Sequence, residues 1–184
     1  MKQYTKQTFA IFWNHAKKYQ VSLWGTIISI TLASVLGVVS PYIYKLIFDG
    51  LGNNPSKEYI IGLLGWLALL YAGEWIFWRS AGFLDSYFQT SVMRDLANTC
   101  FAYMHKHSFN FFNNNFVGSL VKRINRFYRA FEGIADRLTW DLLPVIINVT
   151  VITIVLSYRS IIFGVIIFAW VIIYIFVNIT FSRY

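Results

Sequence analysis

The sequence predicts an all-α, polytopic membrane protein with four transmembrane helices and long cytoplasmic helical extensions. Three observations carry that prediction. First, 57% of the 184 residues are hydrophobic and only 13% charged, about half the charged share of an ordinary soluble domain. Second, the mean hydropathy is +0.53, more apolar surface than a soluble fold of one domain can cover. Third, apolar runs of roughly 20 residues, the length that crosses a bilayer as a helix, recur along the chain. The same composition excludes disorder. A disulfide framework is excluded because Cys100 is the single cysteine. The net charge of +8 would suit nucleic acid in a polar chain. Here it is read as the charge bias that orients membrane helices, and no nucleic-acid partner is expected.

The elements follow in order. Residues 1–20 are polar and carry no small-residue cleavage site, which excludes a signal peptide. They read as an amphipathic helix: Phe9, Phe12, Trp13 and Ala16 recur at helical spacing, with Lys6, Asn14, Lys17 and Lys18 elsewhere. Such a basic, aromatic helix is expected to lie in the membrane interface. Residues 21–184 hold the spans, at about 21–48, 59–80, 140–157 and 161–184. Turn residues from Asp49 to Lys57 join the first two. Tyr158-Arg159-Ser160 forms a tight hairpin between the last two. Gly25, Ser29, Ala33 and Gly37 recur every four residues on the first span, a small-residue stripe for close helix packing. Pro41 follows at the same spacing and is expected to kink the outer end.

The second span does not stop at the membrane. Leu84, Phe88, Val92, Leu96, Cys100 and Met104 continue its four-residue pattern, and no proline falls within 56–107. A helix from Glu58 to His107 would measure about 75 Å, against a hydrocarbon core of about 30 Å. Residues 81–139 therefore form a cytoplasmic helical hairpin, whose second arm, from Lys122 to Asp141, rises into the third span. Charge agrees. Lys2, Lys6, Lys17, Lys18, Arg94, Lys106, Lys122, Arg123, Arg126, Arg129 and Arg137 fall on the hairpin side; only Lys45, Lys57 and Arg159 fall on the other. The positive-inside rule places the N-terminus, the hairpin and the C-terminal end in the cytoplasm.

The hairpin tip runs from Asn110 to Arg126. Its asparagines break one helix and can cap the next. Two readings stand for it, a plain connector or a docking element for a cytoplasmic partner. Arg94, Lys122, Arg123, Arg126 and Arg129 form a basic set suited to lipid head groups or to such a partner. Within the membrane, Glu74 is the outstanding side chain, because an ionisable residue at that depth is a functional candidate. Either it lines a pathway or binds a cationic group, or it pairs with Arg79 or Arg183 at the inner boundary. Asn148 and Asn178 lie in the third and fourth spans. They suit hydrogen bonds between helices or the lining of a polar cavity. His105 and His107, two apart on a helix, cannot share an ion. No metal, catalytic residue or cofactor is assigned to this chain.

The order of motifs resembles the transmembrane domain of ATP-binding cassette (ABC) exporters. The carrying residues are Pro41 to Asp49 at the end of the first span, Arg94-Asp95-Leu96 on the extended second helix, and Phe111-Phe112 followed by Gly118-Ser119-Leu120-Val121-Lys122-Arg123-Ile124 at the tip. The resemblance implies that Phe116, Gly118, Leu120, Val121, Lys122 and Arg123 contact a nucleotide-binding domain, on the same longer chain or a separate subunit. It implies a second transporter half, homo- or heterodimeric, an unidentified substrate passing Glu74, Asn148 and Asn178, and residence in the cell membrane. ATP and Mg are expected for the complete transporter. Two departures stand out. Phe127 occupies a position where the family often has Asp, and four spans are expected where the family has six. The P-loop pattern G-x-x-x-x-G-K-[ST] does not occur, so these residues are read as the N-terminal part of a transporter, or a truncated product. The rival from another class is a four-span scaffold or sensor with the hairpin as a docking arm.

Overall fold

The computed structural model describes residues 2–52, 56–107, 111 and 117–181. Among them every regular element is helical. Helix α1 spans Lys2–Ala16. A single 3₁₀ turn, Lys17–Tyr19, joins it to α2, Gln20–Leu51, with helical dihedrals at both flanking residues. Helix α3 spans Lys57–Met104, 48 residues without a break. Helix α4 spans Val117–Asp136, a π-helical turn covers Arg137–Leu142, and α5 spans Leu143–Arg159. Helix α6 spans Ile161–Phe181. The long helix expected over Glu58–His107 is therefore present and ends in a turn at His105–His107, where the Lys106 and His107 N–H groups donate to the Tyr103 and Met104 carbonyls. Pro41 stands inside α2 without ending it.

Three helical stretches, Thr5–Leu51, Lys57–Met104 and Val117–Tyr158, are long and apolar enough to cross a membrane; α6 contributes a shorter apolar stretch, Ile161–Tyr174. The hairpin expected at Tyr158-Arg159-Ser160 is tighter than its sequence suggests, since Ser160 alone is non-helical. Its N–H donates to the Leu156 carbonyl and its carbonyl accepts from Phe163. The Ser157 side chain fills the space a Cβ on Gly164 would need, so glycine there allows the two arms to meet.

The chain forms two compact units. The first contains residues 1–32 and 75–143. Its core is Phe12, Ala16, Phe88, Val92, Leu96, Phe131 and Ala135, with Tyr19, Leu23, Met93, Phe127, Tyr128 and Ile134 packed around it. The sequence pattern explains the set. Phe88, Val92 and Leu96 lie four apart on one face of α3, and Ile124, Phe131 and Ala135 on one face of α4. The aromatic rings interlock: Phe12 lies 5.0 Å from Phe127 and 5.5 Å, edge-on, from Phe131. Two of the α1 residues expected at the lipid interface, Phe12 and Ala16, are thus covered by protein, while Phe9 and Trp13 remain exposed.

The second unit contains residues 33–74 and 144–184. It buries little. Between Lys57 and Glu74 only Leu67 is buried, and Trp66 is 64% exposed and Phe176 70%. Apolar exposure on that scale marks a surface meant for lipid rather than water. Small residues set its packing. Ala33 is fully buried, Gly73 sits against Leu36, and Gly37 against Glu74. In the first unit Gly25 belongs to the same stripe, where a Cβ would come within 2.9 Å of Leu84. The small-residue stripe of the first span is a packing stripe, as its spacing predicts.

Candidate functional site

The first unit carries two polar clusters on α3. One centres on Asp85, which is buried. Its Oδ2 accepts 2.8 Å hydrogen bonds from Gln89 Nε2 and from the Trp140 indole. Gln89 Nε2 also donates to Asp136 Oδ1 at 2.8 Å, so one amide ties two carboxylates together. Trp140 stacks on Trp78 with centroids 6.2 Å apart. It lies in the π-helical turn, where the Leu143 N–H reaches the Leu138 carbonyl five residues back. Such a turn, often seen at functional positions, rotates Trp140 out of simple α-helical register. Burial pushes the Asp85 carboxyl above its ordinary value; the two hydrogen bonds oppose the rise, and the neighbouring Asp136 charge adds to it. The cluster lines an open groove of about 660 Å³ that also presents Glu132 and, further along α3, Arg94.

The second cluster clamps the start of α2 to α3. Asp95 accepts from the Tyr19 hydroxyl at 3.1 Å and from Lys18 at 3.5 Å, and Arg94 Nε lies 3.7 Å from its other oxygen. Desolvation raises the Asp95 carboxyl, but the Tyr19 and Lys18 hydrogen bonds and the Lys18 and Arg94 charges outweigh it and hold the group below its ordinary value. His15 Nε2 lies 3.0 Å from the Thr99 hydroxyl one turn on. Arg94 is thereby committed to Tyr19, 3.2 Å away, and to Asp95. None of these partners was legible as a set. The signal available was the four-residue spacing of Asp85 with Gln89, and of Asp136 with Trp140.

The hairpin-tip residues divide. Gly118, Lys122 and Arg123 are exposed, Leu120 and Val121 are half-buried, and Phe116 lies outside the described residues. Leu120, Arg123, Ile124 and Phe127 line an apolar cavity with Cys100, Tyr103 and Met104 of α3, so Leu120 serves the hairpin's own packing as well. Lys122, Arg126 and Arg129 share one exposed face of α4.

In the second unit, Glu74 is half-buried, and its carboxylate lies beside the backbone of Gly37, 3.4 Å from where a Cβ would stand. Among the described residues it has no hydrogen bond and no ion pair. The Arg79 guanidinium, one of its two expected partners, lies over the Phe83 ring at 4.7 Å; Arg183 lies outside the described residues. One turn earlier on α3, the Tyr71 hydroxyl lies 2.8 Å from that of Tyr44. Asn148 is half-buried on α5; the side chain of Asn178 lies outside the described residues. Among the described residues no three His, Cys, Asp or Glu side chains are grouped to hold a metal ion.

Long apolar helices, one of them carried far beyond its apolar run as the arm of a helical hairpin, define an α-helical membrane protein. The family model of the ABC transporter transmembrane region matches residues 23–184. The chain belongs to that family. No curated protein matches it. Membership sets aside the scaffold reading: the chain is a transmembrane part of an ABC transporter.

Proposed function

We propose that the chain is the permease portion of an ATP-driven exporter in the cell membrane, crossing it four times with its N-terminus in the cytoplasm. The hairpin of α3 and α4 docks on a nucleotide-binding domain through Phe116, Gly118, Leu120, Val121, Lys122 and Arg123. ATP and Mg act in that domain, and a second transporter half completes the pathway, which Glu74, Asn148 and Asn178 line. The observation that supports this best is the packing of the hairpin. Its arms share an aromatic core with α1, while Gly118, Lys122 and Arg123 stand exposed at the start of α4. A stiff arm with a free, basic end can pass a small rotation from a gripped tip to the spans. An apolar centre with a charged rim is the usual make-up of such an interface.

The test is a paired measurement on the assembled transporter carrying Phe116→Ala, or Lys122→Glu with Arg123→Glu. Truncating a central aromatic anchor costs about 2 kcal/mol or more, so substrate-stimulated ATP hydrolysis should collapse while substrate binding in the membrane persists. Unchanged stimulation in both variants would leave the tip a connector.

A further inference from the structure

Residues 1–48 contain no Asp or Glu, while Lys2, Lys6, Lys17 and Lys18 crowd their start. Helix α1 and the turn after it thus carry positive charge with nothing on their own length to offset it. Lys18 is committed to Asp95, 3.5 Å away. Lys6 and Lys17 are exposed and make no ion pair among the described residues. With Phe9 and Trp13 they recur at helical spacing, a stripe beside the one that buries Phe12 and Ala16 in the core. Phe9 is 52% exposed and Trp13 56%. The Lys17 ammonium lies over the Trp13 ring, 5.8 Å from its centroid, within the range of a cation–π contact.

Those two rings help to form a groove of about 180 Å³. Leu23 of α2, Phe88 of α3, Ile134 of α4 and Leu138 of the π-helical turn line it too, and only Thr139 brings a hydroxyl. No lining residue is charged. The α4 carboxylates Glu132 and Asp136 line the separate groove around Asp85 instead. At the roughly 30 Å³ that a water molecule occupies in the liquid, the groove takes about six methylene-sized groups. A helix, about 10 Å across, could only cover such a space; a chain of methylenes enters it.

We propose that this groove holds one acyl chain of an anionic phospholipid, with the lipid phosphate against Lys17 and Lys6. An aliphatic chain is the complement of an uncharged, ring-lined slot. An anionic head group is the complement of exposed lysines that have no carboxylate partner. Lysine stems also lie readily along apolar surface while the ammonium reaches outward, as Lys17 does over Trp13. The sequence pattern favours a bilayer lipid over a soluble anion. The apolar runs of the first and third spans start at about residues 21 and 140, beside Leu23 and Thr139 of the lining. The site is separate from the pathway residues and from the hairpin tip.

The test uses the assembled transporter in nanodiscs doped with phosphatidylglycerol carrying a diazirine in one acyl chain, or with the matching phosphatidylcholine. After illumination, labelled peptides are identified by mass spectrometry. Helix α6, with its exposed apolar residues, is the internal reference and should be labelled alike by both lipids in every variant. Phosphatidylglycerol should label the groove residues about fivefold or more above phosphatidylcholine, the factor that one lysine near an anionic surface contributes. Lys17→Glu should remove that preference, and Lys17→Arg should keep it. Leu138→Trp, which fills the groove from an exposed position, should reduce labelling there by both lipids severalfold. Excess glycerol 3-phosphate should not compete. Equal labelling of the groove by the two lipids in wild type, or a preference that survives Lys17→Glu, would overturn the anionic assignment. An unlabelled groove beside a labelled α6 would mean that protein covers it, and the proposal would fall. Labelling that Leu138→Trp leaves as it was would contradict an acyl chain in the groove. Competition by glycerol 3-phosphate would make this a site for a soluble anion and rule out the lipid.

Discussion

The two units solve opposite problems with the same helices. In the first, α1, α3 and α4 meet around interlocked phenylalanines and are pinned by charged and amide side chains: Lys18 and Tyr19 to Asp95, Gln89 to Asp85 and Asp136. In the second, large apolar side chains such as Trp66 and Phe176 face outward, and contact is made through glycine, alanine and serine. The first unit is held by burial of apolar rings, the interaction that water drives. The second, with its large apolar side chains turned outward, is held by close backbone approach, the way helices associate in lipid. One sequence switches from the first solution to the second within α3, near Glu74 and Trp75.

Core truncation should expose this contrast most strongly. Phe131→Ala or Phe88→Ala removes a buried ring from the first unit and should cost about 3–5 kcal/mol. Trp66→Ala, which removes a larger but exposed side chain, should shift thermal unfolding in detergent far less. Comparable losses at both places would mean the second unit is held by a buried core after all.

Titration should sharpen the comparison next. Asp85 has its folded-state value raised by burial, with Asp136 adding to the rise. Its contribution to stability is therefore complete below the ordinary carboxylate value and is lost as pH climbs through the raised one. Asp95 works the other way: its value is lowered, so its contribution is present above the ordinary value and fades as pH falls through the lowered one. Asp85→Asn keeps an acceptor for Trp140 and removes the buried charge. It should raise the melting temperature at neutral pH and flatten the profile on the weakly acidic side. Asp95→Asn should lower the melting temperature at neutral pH. Opposite signs for the two variants are the expected result, measured as melting temperature across a pH series.

Glycine replacement should give the smallest effect. Gly62 and Gly65 have nothing near a added Cβ, so Gly62→Ala should gain about 0.5–1 kcal/mol from helix propensity. Gly25→Ala would press on Leu84 and should lose that gain. Equal gains at both would show that Leu84 moves aside freely.

Much of the fold was legible because lipid crossing and helical spacing are written in local composition. The apolar runs, the four-residue series from Leu84 to Met104, and the small-residue stripe all reappear as elements and contacts. The site was legible only in part. Glu74 stands out in sequence because a carboxylate is rare in an apolar run, but its approach to Gly37 on α2 is a contact between two helices that no local spacing reveals. The Asp85, Gln89, Asp136 and Trp140 cluster was missed for a different reason. It joins residues about 50 positions apart, and it depends on a π-helical turn that carries no proline or glycine to announce it.

Orientation decides whether the first unit can meet a nucleotide-binding domain at all. The most direct measurement is labelling of intact cells with a membrane-impermeant maleimide, using single cysteines in a Cys100→Ser background. Ser56→Cys, in the turn between α2 and α3, should be labelled from outside. Gly118→Cys, exposed at the start of α4, should be labelled only after permeabilisation. Labelling of Gly118→Cys but not Ser56→Cys on intact cells would place the hairpin outside the cell and contradict its role as the arm that meets an ATP-driven partner.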